Sequence, residues 1–430
     1  MSGVAHLARL LGELEEQLLA CMRCGFCQSV CPLYGQTGRE ADVARGKLAL
    51  LDGLAQELLA DPRAVQERLE RCLLCGSCAA NCPSGVKVLD IFLKARAILS
   101  GYLGLSPAKK MVFRQLLARP ALFNKLLSLA PRFERVFARP VDELLDTSCA
   151  RFFPPLGQRH FKRLARVPLH RQTPQRHTPV GRAGVRVGFF VGCLIDKLYP
   201  SVGQASLKAL EHHGVGVEMP AEQACCGIPA LSAGDSATFT KLLAHNLVRF
   251  DPEKIDYLVT ACATCASTIA KMWPLMSGSL DAAGQRRAAA LAAKTRDISQ
   301  MLVETGLVGG EAPPPAPGAK PVTYHDPCHL KQSLGVAGEP RRLIAANPAW
   351  RLVEMAESDR CCGLGGSFSL QHYDLSKEIG RRKLGNIEQS GAAAVATGCP
   401  ACMLQISDML SQAGDRIAVK HAIEIYAESL

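Results

Sequence analysis

The order of apolar and polar residues divides the chain into a helical N-terminal region and a C-terminal region in which strands and helices alternate. Leucines at helical spacing predict an amphipathic helix over residues 1–20, and residues 87–104 have the same pattern. From residue 184 onward, short runs rich in Val, Phe and Ala, typical of buried strands, alternate with amphipathic stretches. This alternation predicts α/β units with mostly parallel sheets.

The C-terminal region contains an internal duplication. Several of its predicted strands end at a cysteine, and the order of these cysteines recurs after a Pro-rich linker at residues 311–320. The matching cysteines are 135 to 137 positions apart: Cys193 and Cys328, Cys225 and Cys361, Cys262 and Cys399, Cys265 and Cys402. A nearly constant offset over four positions predicts two copies of one structural unit.

Composition narrows the class of protein. A chain of 430 residues with 48% hydrophobic and 21% charged residues is long enough for two or three globular domains. No apolar run approaches the roughly 18 residues of a membrane span. The N-terminus carries Arg9 and then Glu13, Glu15 and Glu16, which is unlike a secretory signal. We therefore expect a cytoplasmic protein, in which 19 cysteines are metal ligands rather than disulfides.

Two cysteine runs near the N-terminus have the form C-x2-C-x2-C-x3-C-P. In two-cluster ferredoxins, three cysteines of such a run ligate one [4Fe–4S] cluster and the fourth ligates the other cluster. The prediction is one cluster on Cys21, Cys24, Cys27 and Cys82, and a second on Cys72, Cys75, Cys78 and Cys31. Zinc on four thiolates is the alternative, but zinc sites typically use paired C-x2-C motifs instead of two identical four-cysteine runs.

Each C-terminal repeat carries a second pattern, a single cysteine followed by C-C-G and then C-x2-C. The ten candidate metal ligands are Cys193, Cys225, Cys226, Cys262 and Cys265 in the first repeat, and Cys328, Cys361, Cys362, Cys399 and Cys402 in the second. Adjacent cysteines are poor disulfide partners but can ligate neighbouring irons. The motifs lie in loops at strand ends, where an open α/β sheet binds its ligand.

This pattern resembles the cysteine-rich CCG domain of heterodisulfide reductase and its relatives. Two ferredoxin runs followed by two CCG domains resemble the iron–sulfur subunits of glycolate oxidase and D-lactate dehydrogenase, and also that of anaerobic glycerol-3-phosphate dehydrogenase. The resemblance implies two [4Fe–4S] clusters in an α-helical ferredoxin domain. It also implies one or two noncubane iron–sulfur clusters, each held by the five cysteines of a CCG domain. Zinc, or no metal, in one repeat is the alternative.

The predicted architecture is an α+β multidomain chain. An α-helical ferredoxin domain spans residues 1–104, and a basic helical connector spans residues 105–183. The first CCG domain spans residues 184–310, and the second spans residues 321–430. His325 and His329 flank Cys328; we expect them to be loop residues, with contacts to the ligands of a cluster as the alternative. We expect Cys149, which lies outside every motif, to be a structural or surface thiol.

The net charge of +11 comes from the connector. Residues 109–186 contain 17 Lys and Arg against four acids, which gives +13 and leaves −2 for the rest of the chain. We expect short helices there, with arginines pointing outward toward an acidic partner or the anionic inner leaflet of a membrane. The stretch 171–181 is expected to be poorly ordered. Nucleic acid is the weakest interpretation, because the Phe residues of the connector recur with Leu at helical spacing and are expected in the core, where they could not stack on bases.

The functional prediction is an electron-transfer subunit of a flavin-dependent glycolate or D-lactate dehydrogenase. No residue set resembles a site for removing hydride from carbon, and we find neither a G-x-G-x-x-G motif nor a P-loop. No catalytic residue is therefore predicted, and FAD is expected only on a partner subunit, with quinone or another molecule as acceptor. The alternatives are a heterodisulfide reductase-like subunit, which would reduce a disulfide at a noncubane cluster, and a glycerol-3-phosphate dehydrogenase subunit.

Overall fold

The computed structural model describes residues 3–151 and 159–430, and the chain forms two compact units. The first unit contains Met1–Ala118, Gly227–Lys241 and Gly363–Ile379. The second contains the three intervening and following segments, Arg119–Cys226, Leu242–Cys362 and Gly380–Leu430. The mixed helical and sheet structure confirms the predicted fold class.

The first unit is helical. Numbered in chain order over both units, its helices are α1 (Gly3–Gly12), α2 (Glu15–Leu19), α3 (Phe26–Val30), α4 (Tyr34–Thr37), α5 (Ala44–Ala55), α6 (Pro62–Glu70), α7 (Ser77–Ala80), α8 (Val88–Leu103), α9 (Pro107–Lys110), α15 (Ile228–Ser232), α23 (Phe368–Gln371) and the first parts of α16 (Ser236–Leu247) and α24 (Tyr373–Gln389). A 3₁₀ turn, Glu40–Asp42, and a π-helical segment, Met111–Leu117, complete it. The single helix expected over residues 1–20 is in fact two helices, whereas the helix expected over 87–104 is confirmed as α8.

Helix α8 organises the core of the first unit. Ile91, Ala95 and Leu99 follow helical spacing and are buried. Arg96 on the same helix is also buried, and its guanidinium donates hydrogen bonds to the carbonyl oxygens of Ser232 (2.7 Å), Cys72 (2.9 Å) and Leu69. One side chain therefore links α8, α15 and the second cysteine run through backbone acceptors.

The second unit contains the duplicated sheets. Its remaining helices are α10 (Pro120–Leu129), α11 (Glu134–Phe137), α12 (Leu169–Gln172), α13 (Cys193–Lys197), α14 (Pro200–His212), α17 (Ala263–Ser267), α18 (Trp273–Leu275), α19 (Ala282–Lys294), α20 (Ile298–Glu304), α21 (Cys328–Leu334), α22 (Gly338–Ala345), α25 (Pro400–Ala413) and α26 (Ala422–Ala427). Its strands are β1 (Ala138–Asp142), β2 (Thr147–Ala150), β3 (His160–Lys162), β4 (Arg176–His177), β5 (Arg186–Phe189), β6 (Gly216–Met219), β7 (Tyr257–Thr260), β8 (Thr295–Asp297), β9 (Lys320–His325), β10 (Trp350–Leu352), β11 (Ala394–Thr397) and β12 (Ala418–His421). Three short 3₁₀ or π-helical turns are Ala130–Arg132, Thr268–Met272 and Ser277–Ser279.

The two repeats have the same strand order. The first sheet runs β4-β6-β5-β7-β8 and the second runs β10-β9-β11-β12. All neighbours within β6-β5-β7-β8 and within β10-β9-β11-β12 pair in parallel, as the alternating pattern predicted. The first sheet differs only by β4, which adds an antiparallel edge beside β6. The predicted duplication is therefore present in the fold as well as in the sequence.

Two segments of the basic connector differ from their prediction. Strands β1, β2 and β3 form an antiparallel sheet of order β1-β2-β3, where short helices were expected. The stretch 171–181, expected to be poorly ordered, contains β4 and donates a hydrogen bond from the Thr178 amide to the Val217 carbonyl. Residues 152–158 of the connector lie outside the described residues. Within the described ranges, no helix combines the length and the apolar character that crossing a bilayer requires.

The expected outward orientation of the connector arginines is wrong for Arg159. This side chain is buried, and its Nε lies 3.6 Å from a carboxylate oxygen of the fully buried Asp408. Other connector cations also face acids of the same unit: Lys162 and Arg163 both contact Asp146. A buried guanidinium is stable only with a paired charge, and the charge of the connector is partly used for such internal pairs.

We predict that Arg159→Met lowers the free energy of unfolding by about 3 kcal/mol, because the Asp408 carboxylate stays buried without its guanidinium. The matched control is Arg163→Met, which removes a pair whose two side chains are each more than one-third exposed and should cost less than about 1 kcal/mol. Denaturant unfolding of both variants checks the difference. Equal losses for the two variants would show that Arg159 and Asp408 are not a buried pair.

Candidate metal centres

The two N-terminal cysteine runs form separate loops that have the same backbone conformation. In both, the residue before the second cysteine (Arg23 and Leu74) and the glycine after it (Gly25 and Gly76) have positive φ angles, between 54° and 87°. Glycine adopts this conformation without steric cost. Each loop then enters a short helix that carries the third cysteine, which directs three thiols of one run toward a common point.

The first set of thiols lines one cavity. Cys21, Cys24, Cys27 and Cys82 all contact a cavity with about 380 Å³ of empty volume, part of which is open to solvent. Cys82 belongs to the second run, so the fourth thiol of this set comes from the other motif, as in the crossed ligand assignment. Cys78 also lines this cavity.

The second set forms around Cys31. Burial, together with the smaller effects of the neighbouring Cys75 and Cys72, raises the pKa of the Cys31 thiol to about 11. Burial also raises the pKa of Cys78, and the neighbouring Cys75, Cys72 and Cys31 act in the same direction. The Cys31 thiol accepts a hydrogen bond from the Tyr34 amide at 3.4 Å. These neighbours support the crossed assignment, which stays a prediction.

Buried cations lie next to the second set. Lys47 is almost fully buried, and burial lowers its pKa while Cys72 and Cys31 oppose that effect. The Arg96 guanidinium donates to the Cys72 carbonyl. Near the first set, burial raises the pKa of Cys27 and the half-exposed Arg45 counteracts it. Positive charge next to both sets fits a group that is held by thiolates.

In the first CCG repeat, the structure brings all five motif cysteines into one connected group. The Sγ atoms of Cys193 and Cys225 are 3.7 Å apart. Side-chain contacts continue from Cys225 to Cys226, from Cys226 to Cys265 and from Cys265 to Cys262. These residues follow the carboxyl ends of β5, β6 and β7, which are neighbours in the sheet, so the parallel topology itself collects the thiols.

The glycine of each CCG motif has a steric function. Gly227 has φ +99° and Gly363 has φ +97°. A Cβ at Gly227 would lie 2.6 Å from the Phe239 ring, and one at Gly363 would lie 2.6 Å from the Ser376 carbonyl oxygen. Any other residue would therefore be strained and would collide with α16 in the first repeat or with α24 in the second.

Two residues that sequence reasoning missed hold the first CCG loop by its backbone. The Asn246 side chain donates to the Cys225 carbonyl at 3.1 Å, and its oxygen accepts from the Ala224 amide at 2.9 Å. The Trp273 indole donates to the Cys226 carbonyl at 3.0 Å. A buried tryptophan normally has such a partner, but the sequence does not indicate which carbonyl it reaches.

In the second CCG repeat, Cys402 has side-chain contacts with Cys362 and Cys399, which raise its pKa. Cys361 is buried as well, and Cys328 begins α21 as Cys193 begins α13. Lys383 is buried beside this set; burial lowers its pKa to about 8, while Cys362 and Cys361 oppose that effect.

The expectation that His325 is a loop residue is wrong. His325 ends β9 and is fully buried, and burial lowers the pKa of its imidazole to about 3. A ring nitrogen of His325 and the Sγ atoms of Cys362 and Cys402 all lie within 4.8 Å of one another. His329 is only half-buried, and its Nδ1 lies 3.2 Å from the Thr264 hydroxyl.

The thiol groups of the two repeats meet at their C-x2-C motifs. Cys399 contacts Cys262 and Cys402, and both lower the pKa of Cys399 by hydrogen bonding. The Thr264 hydroxyl lies 3.3 Å from the Cys399 sulfur, and the Ala263 amide donates to the Gly398 carbonyl at 3.1 Å. The two CCG groups are therefore adjacent within the second unit.

Comparison with known protein families matches the same regions. Residues 17–86 match the 4Fe-4S dicluster domain, and residues 187–270 and 322–407 each match the cysteine-rich CCG domain. Lactate utilization protein A from Exiguobacterium sp. is 34% identical over 57% of this chain and 98% of its own length. The chain belongs to this family of iron–sulfur proteins. The resemblance inferred from the cysteine pattern is thereby confirmed.

Two relatives match almost the whole chain. The probable glycolate oxidase iron-sulfur subunit of Bacillus subtilis is 29% identical over 96% of this chain and 94% of its own length. One of the subunits of fumarate reductase (CoM/CoB) from Methanothermobacter marburgensis is 29% identical over 93% of this chain and 69% of its own length. A crystal structure of a putative Asp/Glu racemase from Yersinia pestis covers 56% of the chain and 96% of its own, at 13% identity and a TM-score of 0.25, too low to indicate a shared fold.

We predict that the fourth ligands of the two ferredoxin clusters are exchanged. Cys31→Ser should remove the cluster of Cys72, Cys75 and Cys78, with a loss of about four irons. Adding Cys75→Ser to Cys31→Ser should remove no more iron, because both residues serve one cluster. Adding Cys24→Ser instead should remove about four more. Iron analysis and EPR of the three variants check this, and the reverse ordering of the two double variants would refute the exchange.

We predict that cluster assembly at the second ferredoxin set releases a proton from Cys31. Because its thiol has a pKa of about 11 without metal, it is protonated at neutral pH, and the bound metal must displace that proton. Iron incorporation should therefore become more favourable as the pH rises toward 11. Proton release in weak buffer measures the effect, with Cys149→Ser as the control, because Cys149 lies outside every cluster motif and its replacement should leave the release unchanged. Release that is unchanged in Cys31→Ser would contradict the prediction.

Proposed function

We propose that this chain is the electron-transfer subunit of a flavin-dependent 2-hydroxy-acid dehydrogenase that acts on glycolate or D-lactate. An FAD-bearing partner subunit would oxidise the organic substrate, and this chain would carry the electrons toward quinone or another acceptor. Cytoplasmic location, the partner and the acceptor are part of the proposal.

The observation that carries the proposal is the spatial grouping of the thiols. In the first unit, Cys21, Cys24, Cys27 and Cys82 line one cavity, and Cys31 is a neighbour of Cys72 and Cys75. The second unit adds a connected five-thiol group at the first repeat. Iron–sulfur clusters bound at such sets would supply one-electron transfer. The chain itself supplies the thiols, holds them in strained loops and provides the neighbouring cations Lys47, Arg96 and Lys383.

The names of relatives support the substrate class. One relative that matches nearly the whole chain is named as a probable glycolate oxidase iron-sulfur subunit, and several shorter relatives are named lactate utilization protein A. Relatives of this chain are thus named as subunits of oxidoreductases. A two-electron oxidation of a 2-hydroxy acid requires a hydride acceptor such as a flavin, which we place on the partner.

A disulfide reductase is the second candidate. It is favoured by the similarity to the fumarate reductase (CoM/CoB) relative, and it would require space for a disulfide beside a CCG centre. The cavity that Cys362 lines has about 0 Å³ of space for a water-sized molecule, whereas small-molecule sites usually have at least about 300 Å³. The geometry beside Cys362 therefore favours electron transfer. A glycerol-3-phosphate dehydrogenase would use this chain in the same way.

We predict that the purified, flavin-free chain does not oxidise glycolate or lactate. With its FAD-bearing partner added, either 2-hydroxy acid should bleach the visible absorption of this chain's clusters under anaerobic conditions. Adding the partner without the acid, and the acid without the partner, are the controls. Substrate oxidation by the flavin-free chain would contradict the proposal. Bleaching of the clusters by a thiol–disulfide couple, with neither the partner nor the 2-hydroxy acid present, would also contradict it.

A further inference from the structure

His325 stands at the end of a central strand of the second sheet. Its β9 pairs in parallel with β11, and His325 is the register partner of Thr397, two residues before Cys399. The side chain is fully buried and directed toward Cys362 and Cys402, with the three candidate ligand atoms within 4.8 Å of one another. Around a tetrahedral metal with bonds of about 2.0–2.3 Å, nitrogen and sulfur ligands are roughly 3.5–3.8 Å apart, so only a small adjustment is needed.

The hydrogen bonds of the ring determine which nitrogen is available. Nδ1 lies 3.1 Å from the Ser358 carbonyl oxygen, and because a carbonyl only accepts, Nδ1 carries the proton. Nε2 of the neutral ring therefore presents a lone pair. This atom is buried and has no hydrogen-bond partner in the part of the chain that the structure describes. A buried nitrogen lone pair beside two thiols is the arrangement of a metal-ligating histidine whose other nitrogen is held by a backbone carbonyl.

We propose that Nε2 of His325 ligates an iron of the second CCG centre. The inference rests on the proposed function, which assigns iron–sulfur clusters to the CCG cysteines. The second centre is then a mixed imidazole and thiolate site, in which a neutral nitrogen joins Cys362 and Cys402.

The first repeat lacks this ligand. Phe190 precedes Cys193 by three residues, as His325 precedes Cys328, and it too is fully buried. Its ring packs against Phe250 and Trp273 at centroid distances of 5.9 and 6.1 Å. A phenyl ring offers no ligand atom, so duplication has left one centre with thiols alone and the other with an imidazole.

Lys383 reinforces the difference between the repeats. Its Nζ donates to the Ser358 carbonyl at 3.2 Å, the same oxygen that accepts from His325 Nδ1 and, at 3.0 Å, from the Asp326 amide. Three donors fix this carbonyl and, through it, the orientation of the imidazole. The residue at the corresponding distance after the first CCG motif is the buried Leu247.

The two CCG centres should therefore have different reduction potentials. Both centres contain five cysteines, and the imidazole adds a neutral ligand to the second. The buried ammonium of Lys383, which has Leu247 as its counterpart in the first repeat, stabilises the reduced state of the second centre and raises its potential. Electrons that enter the second unit should collect at the second repeat.

The test is pulsed EPR of the complete, anaerobically purified chain with natural-abundance and ¹⁵N-labelled histidine. All other predicted ligands are thiolates, so a strong nitrogen coupling that changes with the label identifies an imidazole on iron. We expect this coupling in the wild-type protein and in His329→Gln, the matched control, and its loss in His325→Phe.

A second variant keeps the test informative if His325→Phe does not fold. His325→Cys restores a ligand, so it should retain iron, lose the nitrogen coupling and shift the potential of one centre downward. A label-independent spectrum from an iron-loaded wild-type chain would overturn the proposal, as would an unchanged potential in His325→Cys. If the His325 proposal is wrong, the partner subunit should still reduce the ferredoxin clusters. This measurement therefore distinguishes a wrong ligand assignment from a wrong proposed function.

Discussion

The structure depends on bringing many thiols together without leaving their negative charge buried and unpaired. A buried thiolate is disfavoured by desolvation and by every neighbouring thiolate, and both effects raise the pKa of Cys31 and Cys78. Buried cations next to the thiols offset this negative charge: Lys47 and Arg96 in the first unit, and Lys383 in the second. Bound metal would supply the remaining positive charge and displace the thiol protons.

The backbone brings the thiols of each set close together. In the first unit, left-handed residues bend each cysteine run around a common point. In the second, adjacent parallel strands end at the same edge of a sheet, so cysteines that follow β5, β6 and β7 converge although about 70 residues separate the first from the last. Gly227 and Gly363 allow the chain to turn after the adjacent cysteines, where a side chain would collide with α16 or α24.

Much of the second unit could be predicted because its signals are local or periodic. Strand-forming runs that end at cysteines, together with a nearly constant offset between them, indicate two parallel sheets with the same order of elements. The expectation that the connector arginines point outward was wrong for Arg159, because composition does not reveal pairing. Its side chain is buried beside Asp408, which lies 249 residues later in the chain. The expectation for His325 was wrong for the same reason, because its proximity to Cys362 and Cys402 depends on tertiary structure.

The central claim is that the CCG cysteines, as well as the two ferredoxin runs, hold iron–sulfur clusters. Iron, acid-labile sulfide and zinc per chain, measured on anaerobically purified protein with ⁵⁷Fe Mössbauer spectroscopy, test it most directly. The account predicts iron and sulfide clearly above the roughly eight atoms of each that two [4Fe–4S] clusters contain, with a Mössbauer component distinct from cubane clusters. About eight irons or fewer, with zinc or no metal on the remaining cysteines, would contradict it.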